Sequence, residues 1–129
     1  MYNLGAFNTD GFDISGRDVH IHDCYIWNQD DCIAVKGLDG LGINSKCSEN
    51  MLFERLTASG LGLTIGSISA NPDHTCVRNI TFRDNIMPHT YKGIYLKSRP
   101  SVGTAEISNV LYQNITIIEP EQWGIWIGP

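Results

Sequence analysis

Asp10, Asp30 and Asp31 are the residues of this chain whose type and spacing could do acid–base chemistry. Held apart, each would be an ordinary turn residue, since Asp and Asn favour bends and satisfy local backbone groups there. Held together, three carboxylates repel one another. At least one then keeps its proton to higher pH, which is how a carboxyl group comes to serve as a general acid. A proton-holding carboxyl beside an ionised one is the equipment needed to hydrolyse a glycosidic bond. The question is whether the chain brings these residues to one place.

A repeat supplies the means. Five segments align: Gly11-Phe12-Asp13-Ile14, Cys32-Ile33-Ala34-Val35, Gly62-Leu63-Thr64-Ile65, Gly93-Ile94-Tyr95-Leu96 and Gly124-Ile125-Trp126-Ile127. Each carries two apolar residues two apart, the period of a strand with one buried face. Four of them follow a second strand-like set, Val19-His20-Ile21, Met51-Leu52-Phe53, Ile80-Thr81-Phe82 and Val110-Leu111-Tyr112. No segment keeps the i, i+3, i+4, i+7 pattern of a helix, and Gly, Asn, Asp and Thr interrupt the chain every few residues. The expected fold is all-β, a right-handed parallel β-helix with two short strands per coil and about five coils, each burying its apolar residues against its neighbours. A sandwich or propeller blade fits less well, because no Asn-Gly type hairpin turn joins the strand pairs.

With the alignment as a ruler, the residue two before the first buried position is Asp10, Asp31, Leu61, Lys92 and Trp123 in successive coils. Stacked strands lie about 4.8 Å apart, so Asp10 and Asp31 are predicted neighbours, with Asp30 beside them at the bend. Three past the first buried position comes Lys97, a cation placed to hold an acidic sugar. Tyr95 and Trp126 share the outward column between the buried positions, where aromatic faces suit sugar rings. The Gly-rich stretch after Lys36, the Ser69–Thr75 segment and Pro100–Gly103 read as loops walling one side. His20, His22, His74 and His89 lack a serine or cysteine in a triad-like context and receive no catalytic role.

The totals narrow the classes. The chain has 129 residues, 42% hydrophobic and 18% charged, as expected of one packed domain, and its net charge of −5 argues against nucleic-acid or anionic-membrane partners. No apolar run approaches the roughly 18 residues needed to span a bilayer. The four cysteines lack paired zinc-site spacing, so no metal is expected. Cys32 and Cys47 bracket the Gly-rich loop and are a candidate disulfide. Two sequons, Asn79-Ile-Thr81 and Asn114-Ile-Thr116, fit a secreted glycoprotein, yet both lie at matching places in the repeat, where a role in the strand is the alternative, as four reduced, buried thiols are for the cysteines. Neither end carries a polar or helical cap, so residues 1–129 read as part of a longer solenoid.

Asn8-Thr9-Asp10-Gly11, Gln29-Asp30-Asp31-Cys32, Gly60-Leu61-Gly62-Leu63-Thr64-Ile65-Gly66-Ser67 and Gly93-Ile94-Tyr95-Leu96-Lys97 resemble, in order, the four signature motifs of the polygalacturonases and related pectin-degrading glycoside hydrolases of family 28. The resemblance implies a parallel β-helix acting outside the cell on a polysaccharide substrate, as a monomer without cofactor, by inverting hydrolysis. It gives Asp30 the role of general acid and Asp10 and Asp31 that of the pair activating water. Two positions depart from the family's pattern: Leu61 stands for the usual histidine of the third motif and Tyr95 for the usual arginine of the fourth. Lys97 keeps one cationic contact, and Arg99, two residues on, is a second candidate. Because rhamnogalacturonan-cutting members also vary at these motifs, that substrate remains an alternative to polygalacturonate, as does a carbohydrate-binding helix without turnover. A calcium-dependent lyase of similar fold is a third reading, although no arginine is placed as its base.

Overall fold

The computed structural model describes residues 8–38, 47–69, 75–99 and 104–129. Among them are eleven strands and no helix, hence none long and apolar enough to cross a membrane. Five strands, β1 (Phe12–Ile14), β4 (Ile33–Val35), β7 (Leu63–Ser69), β9 (Lys92–Arg99) and β11 (Trp123–Gly128), form one parallel sheet in that order. Their register stacks Phe12, Ile33, Leu63, Ile94 and Ile125 in one column, and Ile14, Val35, Ile65, Leu96 and Ile127 in the next. The period-2 alternation of the sequence thus becomes two inward columns.

The second face comes from β2 (Arg17–His22), β5 (Ser48–Glu54) and the first halves of β8 (Thr75–Pro88) and β10 (Ala105–Ile118). Val19, Met51, Ile80 and Val110 stack there, followed by Ile21, Phe53, Phe82 and Tyr112. A third face, which the sequence reading lacked, is built by β3 (Tyr25–Trp27), β6 (Thr57–Ser59) and the second halves of β8 and β10. Each coil therefore has three strands, not two. Every pairing is parallel, and each coil lies over the one before: the architecture is a parallel β-helix.

The corners between faces need left-handed backbone. Asp18, Asn50, Asn79 and Asn109 take positive φ at one corner, and Asp23, Arg55, Asp84 and Asn114 at the next. Asn and Asp tolerate that region better than most residues and bond across the coils while in it. Asn50 Nδ2 donates to Asp18 Oδ1 at 3.1 Å, Asn79 to Asn50 at 2.7 Å and Asn114 to Asp84 at 2.7 Å. The two sequon asparagines hence lie at different corners, not at equivalent places.

Inside, Phe53 stacks on Phe82 at 4.8 Å and Phe82 on Tyr112 at 4.6 Å between ring centroids. The Tyr112 hydroxyl donates to Leu63 O at 3.0 Å, tying the second face to the first. The disulfide joins Cys47 to Cys76, not Cys47 to Cys32. The reason is register: each precedes one of the stacked partners Ser48 and Val77, which leaves the two Cα atoms 4.6 Å apart. Cys32 points the other way, fully buried, its thiol directed at Asn28 Oδ1. Most of the expected loop residues, His74 included, lie outside the described residues.

Candidate active site

The first sheet and the bend that feeds it position the acids. Gly11 N donates to Asp31 O at 2.9 Å, and Cys32 N to Gly62 O at 2.9 Å, so successive coils sit squarely on one another where the aspartates project. One oxygen from each of Asp10, Asp30 and Asp31 lies within 4.8 Å of the other two. The three acids singled out in the sequence come together.

Their partners differ. Asp30 Oδ1 accepts from Asp31 N at 2.8 Å and Oδ2 from Asn8 N at 3.2 Å, which fixes its carboxylate on two backbone amides. Asp31 is 2% exposed, and both its oxygens are engaged. Oδ1 accepts from the Thr64 hydroxyl at 2.6 Å and Oδ2 from Lys97 Nζ at 3.4 Å. Burial raises the Asp31 pKa, against the opposing pull of the Thr64 bond and the Lys97 charge. Asp10 is also raised, first by burial and then by the charge of Asp30. Both shifts make Asp10 and Asp31 stronger proton acceptors, in a site that has a cation at its edge.

Behind the acids, Asn28 is the brace. Its Nδ2 donates to Thr9 O at 2.9 Å and to Asp31 O at 2.8 Å, joining the coil that carries Asp10 to the one that carries Asp31. Gly60 makes room for it: a Cβ there would run into Asn28 Oδ1 and come within 2.7 Å of Asp30 O. Neither Thr64 nor Asn28 was assigned a role from sequence. Thr64 was visible only as the outward member of its strand, and Asn28 as one of many bend asparagines.

The acids open onto a cleft of about 420 Å³, shared with Lys36, Ser67, Lys97 and Arg99. Ser67 is aimed there by a break in the β7–β9 register between Ile65 and Ile68. Lys97 and Arg99 thus both reach the cleft. Tyr95 departs from expectation. It is 3% exposed, its ring flanked by Lys92 Nζ at 4.3 Å and Lys97 Nζ at 5.5 Å, and it has no open face for a sugar. Leu61 holds the third-motif position with its amide bonded to Asp30 O at 2.7 Å, and its side chain brings no titratable group. The spacing of the three acids would also suit a hard cation, for which oxygen ligands are the right donors. His20 and His22 pair with Glu54 and Asp23 on the second face, away from the acids.

The family model of glycosyl hydrolases family 28 matches residues 3–128. The chain is 39% identical over 125 residues to "Probable endopolygalacturonase A" of Neosartorya fischeri, covering 95% of this chain and 31% of that protein. It is 34% identical over 123 residues to "Endopolygalacturonase I" of Aspergillus aculeatus, covering 94% and 29%. This chain therefore spans about a third of the length of the curated relatives it matches. Among solved structures, endopolygalacturonase I from Stereum purpureum, complexed with two galacturonate, superposes with a TM-score of 0.58 at 22% identity, over 94% of this chain and 55% of that one. That likeness is one of fold. Because the family match runs almost from end to end, over coils whose stacking assembles the acid cluster, the chain belongs to glycosyl hydrolases family 28.

Proposed function

We propose that this chain supplies the catalytic coils of a pectin hydrolase that cleaves glycosidic bonds in galacturonate-containing polysaccharide with inversion. The observation that carries the proposal is the convergence of Asp10, Asp30 and Asp31 within 4.8 Å at a cleft edged by Lys97 and Arg99. Asp30, anchored by two amides, protonates the leaving oxygen. Asp10 and Asp31 hold the attacking water and take its proton. Lys97 and Arg99 meet substrate carboxylates.

The separation of the acids raises a second reading. Inverting pairs usually stand about 6.5 to 9.5 Å apart and retaining pairs about 5 to 5.5 Å, so oxygens this close favour a covalent intermediate on distance alone. A nucleophile must present a free oxygen to the anomeric carbon. Asp31, nearly buried and with both oxygens engaged, does not, whereas a water held between it and Asp10 needs no such access. The Cys47–Cys76 disulfide and the two sequons support extracellular action by a glycoprotein.

The test is release of reducing ends from polygalacturonate by the native full-length protein, with and without a chelator, beside Asp30→Asn. Chelator-insensitive release, lost in the variant and yielding product of inverted anomeric configuration by proton NMR, is expected. Equal, negligible release from both proteins would sink the hydrolase, and an unsaturated product would make it a lyase. Retained configuration would replace the water-holding role with a nucleophilic one.

A further inference from the structure

The second face carries two histidines that the acid site does not use. His20 and His22 are alternate residues of β2, so both project outward while Val19 and Ile21 pack against the core. Residues so placed have Cα atoms about 6.7 Å apart, yet the two ring centroids are 4.4 Å apart, with 36° between the planes. The rings lean together while each side chain stays 48% exposed.

One nitrogen of each ring is committed. His20 Nε2 lies 3.0 Å from Glu54 Oε1, and His22 Nδ1 lies 2.6 Å from Asp23 Oδ2. Arginines keep both carboxyl groups ionised. Arg55 donates from Nε to Asp23 Oδ1 and from Nη2 to Asp23 Oδ2, each at 2.8 Å, and its Nη1 lies 2.7 Å from Glu54 Oε1. Arg83 Nε donates to Glu54 Oε2 at 2.7 Å. The Arg83 bond, followed by that of Arg55, holds the Glu54 carboxyl down to about 2, and Arg55 keeps Asp23 well below the usual carboxylate range. An ionised carboxylate has no hydrogen to give, so the imidazole nitrogen facing it is the one that carries a hydrogen. In the neutral rings His20 Nδ1 and His22 Nε2 are therefore the lone-pair nitrogens. Among the described residues neither takes part in a hydrogen bond.

Metal-binding imidazoles are built in this way, with the second nitrogen fixed on a carboxylate that sets the tautomer and raises the basicity of the ring. The separation agrees. A metal–imidazole bond of about 2.0 Å puts each ring centre about 3.2 Å from the ion, and two rings at a right angle then stand about 4.5 Å apart. Local charge also permits a cation, because Asp23 and Glu54 offset Arg55 and Arg83. We propose that His20 and His22 chelate one divalent transition ion on the outer surface of the second face, copper(II) most tightly, with water in the remaining positions. Calcium and magnesium are not held there, since they take oxygen ligands. Glu54 and Arg55 belong to the next coil, so an ion on the two rings reinforces a network that joins the first coil to the second.

The test is calorimetric titration of the full-length protein with copper(II), and with calcium as the control. The parent protein carries Cys24→Ser, which removes the half-buried thiol that would otherwise reduce copper(II). One copper ion should bind, with electron paramagnetic resonance showing coupling to two imidazole nitrogens. His20→Gln and His22→Gln should each weaken binding at least tenfold and leave one coupled nitrogen, whereas His89→Gln, which removes the ring beside Glu119, changes neither. Saturating copper should raise Tm in the parent and not in the two variants. In the parent itself, copper should shield His20 and His22, and not His89, from acylation by diethyl pyrocarbonate, a reading that needs no substitution at the site. Undiminished binding in either His20→Gln or His22→Gln, coupling to fewer than two nitrogens in the parent, or displacement of copper by calcium would overturn the assignment. None of these readings involves release of reducing ends, so the metal site stands or falls apart from the hydrolase proposal.

Discussion

Thr64→Val tests whether the charge state of Asp31 is set by a single hydroxyl. Thr64 is fully buried and donates to Asp31 Oδ1 at 2.6 Å, within the range of a charge-assisted O–H···O⁻ bond. Valine keeps the branched shape and removes the donor. A hydrogen bond to an ionised group contributes about 1.5–3 kcal/mol, and one to a neutral group about 1 kcal/mol. Thr64 is 0% exposed, so solvent does not reach the side of Asp31 Oδ1 from which the donor is lost. The sign follows from linkage. Asp31 has a higher pKa in the fold than the unfolded 3.8, so the native protein holds more protons across that window and loses stability as pH rises through it. Removing a bond that favours the ionised form widens the window. The variant should therefore be destabilised by about 1 kcal/mol at pH 3.5, where Asp31 is neutral, and by about 2–3 kcal/mol at pH 7. Urea unfolding at both values measures the difference, and the acid limb of kcat/KM should move to higher pH, with Thr64→Ser returning it. A loss of equal size at the two pH values, or an acid limb that stays in place, would refute the reasoning.

Asp10→Asn should raise Tm at pH 7, because the native pKa of Asp10 is also elevated and its ionised form disfavours the fold; the gain should vanish near pH 3, where both proteins are neutral at this position, while hydrolysis is lost throughout. Gly60→Ala places a methyl group against Asn28 Oδ1 and the Asp30 carbonyl, and should destabilise by about 1–3 kcal/mol as other overpacked sites do. Because the displaced atoms carry Asp30, its kcat measured well below Tm should fall further than stability predicts. Replacing both Cys47 and Cys76 with Ala opens a 29-residue loop in the unfolded chain and should lower stability by about 3–4 kcal/mol, read by denaturant unfolding, with the pH profile of activity unchanged.

How much of this was legible in the sequence depends on how many residues each feature engages. Two inward columns of the first sheet were readable because every coil spends two apolar residues on them, from Phe12 and Ile14 to Ile125 and Ile127. The third face mixes types: its inward columns run Ile26, Ala58, Met87, Ile117 and Cys24, Leu56, Asn85, Ile115, so no common apolar pair repeats from coil to coil to reveal a strand. The acids were readable for the same reason as the columns, since their convergence needs only that equivalent positions stack.

What failed were inferences that used nearness in sequence, or the direction of a side chain, in place of register. Cys32 and Cys47 flank one loop, but Cys47 and Cys76 are one coil apart, and in a stacked chain the second relation brings atoms together. The interval of 29 residues, close to the coil length already counted, was the signal. Tyr95 does alternate outward, yet outward is not exposed when the neighbouring side chains are long: Lys92 and Lys97 fold over its ring and cover it. Thr64 occupies the same outward column one coil earlier, where no long side chain intervenes and Asp31 is within reach. One column thus holds a carboxylate's donor at one level and a lysine's aromatic seat at the next. The chemistry at each level is decided by which side chains flank it across the coils, so a motif read along the chain could assign the acids but not the residues that set their charge.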